Sequence, residues 1–565
     1  MSTSSTSQPL LSPSHACEMV VYKTRRPHRK SRYGCTRCKI RRIKCDERMP
    51  RCSRCEKMDL GCIYRKRMEA DGWTQPPDLS RLEQILSPPE LELFRHFLEH
   101  TSRDRTVGGQ DRYTMQVGIP NLACQSKPLM RSVLALAAVC RCCDIIRDEP
   151  SQARNPSGRG EMVDLLSLAH RYHLGSLRET QATLGEADNY DHVLANAAMM
   201  GMYGSASHAA RVWLAKTAPR GEHLHLLDCM MLPGTPQWLS LFRAVGLAYA
   251  GLLRNSPQHS PAVSPAALSG QYEGKTVSGT QTASAARVGD IRASIMTTHP
   301  LGPVVAATVG SALAIVNEKA SEIQAIRHHH HGHHYHLAST GVGAVVGHDA
   351  SSTSSQLEAC FATLGILNSI VAESLLPPQA SGTSAPGTPG DENNNDDDDE
   401  DDDGPARVAA VTGVANDRAG RLAHVSPWLR RYTASISSMV PSRVPRRVIM
   451  SLVHRVPTAF LSLVEDVIGL INAGPAAAAG EAGRQAMPEP SVAHQLALEV
   501  FAHWLVLVIL LDDVWWIGGI GPWELARFVS VRGYPGWETC LWNRDGDWWP
   551  ESMLEISRQF EKHRS

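Results

Sequence analysis

The 565-residue chain lacks the short motifs by which common enzyme families are recognised. It contains no P-loop, no G-x-S-x-G nucleophile motif, no H-E-x-x-H zinc-protease motif and no dinucleotide-binding fingerprint. It also has no excess charge, since 57 Lys and Arg balance 57 Asp and Glu. These absences argue against an enzyme and leave a binding or regulatory role.

Targeting and membrane-spanning segments are also missing from the sequence. Residues 1–20 are rich in Ser and Thr, without the basic segment and apolar core of a signal peptide. The longest apolar run, residues 504–511, is far shorter than the roughly 20 residues of a membrane helix, and it predicts a buried core helix. We therefore expect no membrane span and a reducing compartment, in which cysteines bind metals more often than they form disulfides.

Six closely spaced cysteines are the most informative feature that is present. They follow the pattern C-x2-C-x6-C-x6-C-x2-C-x6-C, at Cys35, Cys38, Cys45, Cys52, Cys55 and Cys62. A C-x2-C pair lets two thiolates bind one metal ion from a tight turn, and zinc takes four ligands in a closed tetrahedral shell. Two zinc ions need eight ligands, which six cysteines supply if two of them bridge both metals. A disulfide framework is the alternative, which the expected compartment disfavours.

The cysteines lie within a strongly basic segment. Residues 21–67 contain 18 Lys and Arg against four Asp and Glu, and residues 39–44 read Lys-Ile-Arg-Arg-Ile-Lys. Such a density suits a polyanion, because each phosphate contact releases condensed counterions. A redox or metallothionein-like role would not need this basic stretch, so the segment predicts nucleic-acid binding.

Residues 29–64 resemble the DNA-binding domain of fungal binuclear zinc-cluster transcription factors. All six cysteine positions match, and so does Pro50, two residues before the fourth cysteine. The resemblance implies that the six cysteines bind two zinc ions, with Cys35 and Cys52 as the bridging ligands. It also implies that a short helix after the second cysteine enters the major groove and reads a CGG-like triplet.

The DNA contacts that follow from this resemblance fall on seven basic residues. Arg41 and Arg42 occupy the base-reading positions, and an arginine fork pairs well with O6 and N7 of guanine. The other five would position the protein on phosphates, and they are Lys39, Lys44, Arg29, Lys30 and Arg32.

Composition and helical periodicity predict a small zinc-cluster DNA-binding domain followed by a mainly all-α regulatory domain with disordered insertions. The predicted segments are a disordered start (1–24), a basic arm (25–34), the zinc cluster (35–65), a linker (66–86), a helical regulatory domain in two parts (87–255 and 425–565) and low-complexity insertions with helical pieces between them (256–424). The basic arm could contact phosphates or direct nuclear import.

Several helices are predicted within this body. Ser87 followed by Pro88, Pro89 and Glu90 reads as an N-cap with a capping-box glutamate, and Leu91, Phe94 and Leu98 would line one face. Pro128 opens an apolar helix through Leu129, Val133, Leu136 and Cys140. Further helical patterns cover residues 162–182, 190–216, 303–326, 357–375 and 491–511.

Four other features allow two interpretations each. The run 328–336 holds seven histidines and could bind metal, but a solvated low-complexity loop is favoured. The run 391–403 holds ten Asp and Glu and could be an activation surface or a solvated linker. Cys140, Cys142 and Cys143 could be metal ligands, although buried apolar roles are favoured. Asp512 and Asp513 could be catalytic or bind a metal, but the end of a buried helix is favoured.

The helical body resembles the fungal-specific transcription factor domain, in the variety found in sterol uptake control proteins. The resemblance rests on residues 91–97, 236–239, 502–504 and 515–516, and eight of the twelve tryptophans lie between 504 and 549. It implies an all-helical domain with a hydrophobic ligand pocket in its C-terminal half and a hydrophobic effector such as a sterol. No pocket residue is assigned.

We therefore expect a nuclear, sequence-specific DNA-binding transcription factor of the RNA polymerase II type, whose partners are double-stranded DNA and transcription co-regulators. A homodimer is a further candidate, although residues 63–86 contain no sustained heptads. One alternative is a zinc-cluster protein that acts mainly as an interaction or repressor scaffold. The other is an enzyme with a DNA-targeting head, against which the missing catalytic motifs argue.

Overall fold

The computed structural model describes most of the helical body and a few residues of the cysteine-rich segment. The described residues are 38, 41, 43, 52–58, 75–102, 108–148, 150–183, 190–218, 237–253, 291–337, 349–376, 420–478, 490–531 and 548–564. The chain separates into two compact units, Met1–Gly72 and Trp73–Ser565. Every regular element among the described residues is helical.

The first unit contains one described helix, and the second unit contains the rest. In chain order the α-helices are α1 (Ser53–Lys57), α2 (Leu79–Leu82), α3 (Pro88–His96), α4 (Gly108–Tyr113), α5 (Ile119–Ala123), α6 (Lys127–Asp148), α7 (Pro150–Arg154), α8 (Pro156–Thr183), α9 (Tyr190–Lys216), α10 (Gln237–Leu253), α11 (residues 291–298), α12 (Gly302–Leu337), α13 (Asp349–Ser374), α14 (Pro427–Ile436), α15 (Pro445–Arg455), α16 (Thr458–Ala478), α17 (Val492–Ile509), α18 (Ile520–Val531) and α19 (Trp549–Arg564). Single turns of π-helix cover Phe97–Thr101 and Thr114–Gly118, and a 3-10 turn covers Gly420–His424.

Helix α3 begins where its sequence signals predict. The Glu90 carboxylate accepts hydrogen bonds from the backbone N–H of Ser87 at 2.9 Å and from its hydroxyl at 2.7 Å. This satisfies a backbone donor that the helix itself leaves without a partner. Phe94 is fully buried as expected, but Leu93 and Phe97 are its buried companions, while Leu91 and Leu98 are only half-buried. The buried face therefore includes Leu93 and Phe97 in place of the predicted Leu91 and Leu98.

The first hydrophobic core is built on α6, α8, α9 and α10. The predicted apolar face of α6 is confirmed, since Leu129, Val133, Leu136 and Cys140 are all fully buried. Helices α8 and α9 confirm the helical patterns at 162–182 and 190–216. Small residues along α9 let α10 approach closely, and a Cβ on Gly204 would lie only 2.9 Å from the Leu241 side chain.

The chain returns to this first core more than 160 residues later, through α14. Trp428 is 2% exposed and packs against Gly118, where an added Cβ would lie 2.8 Å from the indole ring. The Asp191 carboxylate, at the start of α9, accepts a hydrogen bond from the Ser426 backbone N–H at 2.8 Å. The start of the stretch 425–565 therefore packs in the same core as the stretch 87–255.

The second core surrounds α17, whose residues are almost all buried. Helices α12, α13, α15, α16, α18 and α19 all pack on it. The Trp504 indole donates a hydrogen bond to the Ile449 carbonyl at 2.9 Å, and its ring stacks 6.3 Å from that of Trp238. Trp504 and Trp548 are buried, while Trp515, Trp516, Trp523 and Trp549 are half-buried. The tryptophan-rich stretch thus contributes to the second core.

Helices from the predicted insertion contribute to this second core. Val305 of α12 and Leu367 of α13 are buried, and the side-chain amides of Asn317 and Asn368 pair at 2.9 and 3.2 Å. The backbone of α12 continues as helix to Leu337, so the prediction of a loop over 328–336 is wrong. The acidic run 391–403 lies outside the described residues, as do the predicted disordered start and the basic arm.

Two helices are long and apolar enough to pass a test for membrane spans that considers only length and composition. By length and composition alone, Thr353–Ser374 and Val492–Ile509 could cross a membrane, and the bent pair Pro445–Arg455 and Thr458–Ile471 passes the same test together. The expectation of no membrane span was based on the short uninterrupted run 504–511, whereas these helices reach the required length when occasional polar residues are included. However, 83% of the Val492–Ile509 window is buried by the protein itself, and 50% of the other. The polar groups of α17 also find partners inside the core, since the Trp548 indole donates to Glu499 at 3.2 Å.

A buried ion pair joins the two halves of the second unit. The Glu524 carboxylate of α18, 2% exposed, lies 2.7 Å from Nε2 of His208 on α9 and 2.9 Å from Nη1 of Arg527. Burial alone would raise the pKa of Glu524, but Arg527 and His208 outweigh it, so the pKa is lowered and the carboxylate stays charged. No sequence motif pointed to these residues.

Replacing Glu524 with Gln should destabilise the second unit strongly. The guanidinium and imidazole would lose their buried counter-charge, and breaking such a pair costs about 3 kcal/mol. Urea unfolding of the full chain measures the loss. Glu555→Gln is the matched control, because Glu555 is exposed and 4.0 Å from Arg558, where the expected change is about 0.5 kcal/mol or less. Equal stability of the two variants would contradict the assigned role of Glu524.

Acidification should weaken the second core through His503. Burial lowers the pKa of His503 to about 4, so the folded chain keeps this ring neutral while the unfolded chain protonates it below about pH 6.5. Stability is therefore lost as pH falls from 6.5 towards 4, by about 2 kcal/mol at pH 5. The His503→Gln variant should lose that much less stability than the unmodified chain between pH 7 and pH 5 in urea titrations. An unchanged pH dependence would show that His503 is not the group responsible.

Candidate metal centre and nucleic-acid interface

Three of the six predicted zinc ligands lie together in the described part of the first unit. The sulfur atoms of Cys38, Cys52 and Cys55 all lie within 4.8 Å of one another. The side chains are 1%, 0% and 3% exposed, and none of the three sulfurs belongs to a disulfide. The disulfide alternative therefore does not apply to these cysteines.

The distance between the Cys38 and Cys52 sulfurs matches the distance between two sulfurs that bind one zinc ion. Zinc–sulfur bonds of about 2.3 Å at tetrahedral angles place two ligand sulfurs about 3.8 Å apart. The Sγ atoms of Cys38 and Cys52 are 3.7 Å apart. The donor set and its geometry thus fit a thiolate-bound zinc ion, which would be held by Cys38, Cys52 and Cys55 together with further ligands.

Short-range backbone contacts position the sulfurs. Cys52 directly precedes α1 and Cys55 lies within it, and the backbone N–H of Cys55 donates to the Cys52 Sγ at 3.4 Å. In the first half of the motif, the Ile43 N–H donates to the Cys38 carbonyl at 3.0 Å. An N–H donor to sulfur stabilises the negative thiolate form, which is the form that binds metal.

The remaining predicted ligands and most predicted DNA contacts cannot be placed. Outside the described residues lie Cys35, Cys45, Cys62, Lys39, Arg42, Lys44, Arg29, Lys30 and Arg32. Arg41 is described and exposed, and its Nη1 atom lies 3.4 Å from the sulfur of Met58. Cys38 is helical, but the two residues described within the helix predicted after it are not, since Arg41 lies in a turn and Ile43 has no regular secondary structure.

The second half of the motif presents basic residues that the sequence reasoning did not single out. Arg54 and Lys57 lie in α1 and are exposed. The repeat of the half-motif could have indicated them, since the first half also carries its basic residues next to its C-x2-C pair. They add positive charge close to the zinc ligands, where it would attract phosphate.

The scattered cysteines of the second unit do not form the triple cluster considered above. Cys140 and Cys142 are buried, and the thiols of Cys142 and Cys143 lie near the carbonyls of Met162 and Trp515. A different group, His96 with Cys140 and Asp144, brings three donor atoms within 4.8 Å.

This group is better explained by helix packing than by a metal ion. The Asp144 carboxylate is 3.0 Å from Nε2 of His96 and 3.0 Å from Nη2 of Arg147. A cation would have to compete with Arg147, so the contact serves to hold α3 against α6.

The two aspartates after α17 play different roles. Asp512 accepts a hydrogen bond from the Gly519 N–H at 3.0 Å across a turn in which Gly519 has a φ of +80°. Burial raises the pKa of Asp512 to about 7. Asp513 is exposed. Asp512 thus ends the helix and closes the turn, as the favoured interpretation predicted.

Comparison with known proteins identifies the cysteine-rich segment. Residues 33–70 match the fungal Zn(2)-Cys(6) binuclear cluster domain. This segment is therefore a zinc-binding module of that family. No solved structure matches the chain.

The relatives that share the module are fungal transcription factors. The Zn(2)-C6 fungal-type transcription factor afumD of Aspergillus fumigatus is 30% identical over 162 residues, which are 26% of this chain and 42% of the relative. A Zn(2)-C6 fungal-type transcription factor of Gibberella zeae is 60% identical over 40 residues, 7% of this chain and 8% of the relative. Sterol uptake control protein 2 of Candida albicans is 55% identical over 40 residues, 7% of this chain and 6% of the relative.

These matches show a zinc-cluster module in the chain, and they show the transcription-factor class of its relatives. The chain spans less than half the length of the relatives it matches. The match to the first relative is longer than the segment 33–70, so that likeness extends beyond the cluster domain.

Replacing Cys52 with Ala should remove zinc from the protein. Cys52 contributes a sulfur to the group around Cys38, and a zinc shell that loses a ligand binds far more weakly. Zinc per chain after dialysis, measured by mass spectrometry, is the readout. The control is Cys360→Ala, since Cys360 is buried in the second core and donates to the Ala493 carbonyl at 3.5 Å. Equal zinc content in the two variants would contradict the site.

Proposed function

We propose that the chain is a nuclear, sequence-specific DNA-binding transcription factor whose zinc-folded module reads CGG-like triplets in the major groove. The observation that carries the proposal is the buried group of Cys38, Cys52 and Cys55 at zinc-ligand spacing, within a segment that matches the fungal cluster domain. Zinc would fold this module, because so short a segment cannot build a sufficient apolar core. The helical body would regulate it without catalysing a reaction.

A two-zinc cluster with Cys52 as a bridge accounts for the position of its sulfur. Cys38 belongs to the first C-x2-C-x6-C half and Cys55 to the second, and the Cys52 sulfur lies within 4.8 Å of both. A sulfur that serves two metals must be close to ligands of each. Cys35 is proposed as the second bridge, with Cys45 and Cys62 completing the two shells.

Arg41 and Arg42 are the proposed base-reading residues. Arg41 is exposed, and its guanidinium would exchange its surface contact with the Met58 sulfur for a guanine edge. Lys39, Lys44 and the basic residues Arg29, Lys30 and Arg32 would contact phosphates, and we add Arg54 and Lys57 of α1 to that set.

The name of one relative, sterol uptake control protein 2, raises a sterol effector as a finer proposal. Its match covers 40 residues, about the length of the cluster domain. This likeness supports a shared DNA-binding module more than a shared ligand. Any effector site would lie in the helical body. The class of ligand that it binds has to be inferred from the residues that line its described cavities, and not from the name of a relative.

Replacing Arg42 with Ala should relax base choice more than it weakens non-specific binding. Losing a bidentate guanine contact costs about 1–3 kcal/mol on the specific site and little elsewhere. Fluorescence anisotropy with a CGG-containing duplex and a scrambled duplex, at several salt concentrations, measures both affinities for the full chain.

The matched control separates base reading from general attraction. Lys57→Ala removes one charge and should weaken both duplexes alike, with a shallower salt dependence. A uniform loss for Arg42→Ala would remove it from the base-reading role. An unmodified chain with no sequence preference and a shallow salt dependence would favour the scaffold alternative.

A further inference from the structure

A largely apolar cavity lies within the second unit, where the returning chain meets the first core. Its volume is about 70 Å³, and its lining comes from α4, α9, α10, α14 and α15 with neighbouring turns. Concave, mostly apolar cavities with a few polar groups are the usual sites for small molecules. Three methionines, Met115, Met202 and Met450, form part of the wall, and their flexible side chains adapt to differently shaped occupants.

The described residues that line this cavity carry more positive than negative charge. Asp111 forms a close ion pair with Arg447, but Arg446 lines the same space and, among the described residues, no carboxylate forms an ion pair with it. Burial, and then repulsion from Arg447, lowers the pKa of Arg446. The two guanidinium groups thus face a single carboxylate in a poorly hydrated space, and such an excess of positive charge favours an anion.

Unused hydrogen-bonding groups lie on the same cavity. The Thr101 hydroxyl is buried without a partner, and neither ring nitrogen of His454 makes a hydrogen bond of ordinary geometry. Burial and the nearby Arg243 lower the pKa of His454 to about 4, although the Ile436 carbonyl partly offsets this, so the ring is neutral and a ligand would compete with that carbonyl for its one N–H. Buried polar groups rarely lack hydrogen bonds in folded proteins, so the Thr101 hydroxyl and the His454 ring indicate a ligand that forms hydrogen bonds with them.

Close packing fixes the His454 ring in this position. It stacks on Phe242 at 4.9 Å, and Phe242 in turn stacks on Trp516 at 5.6 Å. On the other side, a Cβ on Gly246 would lie 3.1 Å from the His454 Nδ1 atom. The donor group is thus held in place before any ligand arrives, which lowers the entropic cost of binding.

We propose that this cavity binds a small molecule with an apolar body and a carboxylate, held by Arg446 with Thr101 and His454 as further hydrogen-bonding groups. The apolar body would lie against the methionines and the Phe242–Trp516 stack. The site joins α9 and α10 to α14 and α15, so an occupant would bind these helices together. As an effector site the proposal rests on the regulatory role given above, but binding itself does not depend on DNA.

The test measures binding of two acids, each beside its amide and its amine. The probes are 4-phenylbutanoate and dodecanoate with 4-phenylbutanamide, 4-phenylbutylamine, dodecanamide and dodecylamine, titrated into the full chain by calorimetry. We expect at least one acid to bind saturably and about tenfold or more tighter than its amide, which is about 1.4 kcal/mol. No saturable acid binding, or equal binding of acid and amide, would overturn the proposal.

Substitutions at Arg446 assign the charge preference to this residue. Arg446→Gln should abolish the preference for acid over amide, while Arg446→Lys should keep most of it. The control is Arg178→Gln on α8, which removes an exposed arginine away from the cavity. A thermal melt of each variant checks folding, and Arg446→Gln should melt no lower than the control, because the unmodified side chain is a partly buried charge without a carboxylate partner.

The outcomes separate this proposal from the DNA-binding function. An acid preference that persists in Arg446→Gln would overturn the site even if the chain binds DNA as proposed. Conversely, failure of the unmodified chain to bind any CGG-containing duplex, with the acid preference lost in Arg446→Gln, would leave the site intact and refute the DNA-binding proposal.

Discussion

The second core depends on covering α17 on every side, because this helix has no polar face that could be exposed to water. Nearly every residue of Val492–Ile509 is buried, so six other helices pack around it. Two of them, α12 and α13, come from the stretch that composition marks as an insertion. Burial of this much apolar surface, at about 25 cal/mol per Å², is the dominant stabilising contribution. The few polar groups of α17 stay inside because Trp548 and the helix backbone satisfy them.

Local signals allowed the helices to be predicted, but not their packing. The start of α3 follows from Ser87 and Glu90, and the buried face of α6 follows from its apolar spacing, because both depend on residues within a few turns. The histidine run was assigned to a loop because its composition resembles a solvated repeat, yet it continues α12. The Glu524 ion pair joins residues more than 300 positions apart, and no periodicity in one sequence reports such a contact.

The two candidate sites were predictable to different degrees. The cysteine group could be predicted because zinc is bound by a few residue types at characteristic spacings along the chain, and the Cys38 and Cys52 sulfurs lie at the distance expected of two zinc ligands. The cavity gives no such signal, since Thr101, Arg446 and His454 are ordinary residues that only the fold brings together. The sequence resemblance implied a hydrophobic pocket in the C-terminal half, whereas this cavity is built jointly from both halves of the chain and carries positive charge.

The return of α14 to the first core also constrains how the protein is made. Trp428, Leu429 and Tyr432 are buried against helices that end at Leu253, so the first core is incomplete until the ribosome has added nearly two hundred further residues. At ordinary rates of synthesis, this delay is roughly ten to forty seconds. During that interval the apolar surfaces that α14 covers are exposed on the nascent chain. Apolar surface that is exposed in this way is prone to aggregation, so the position of α14 in the sequence lengthens the period in which the nascent chain is at risk.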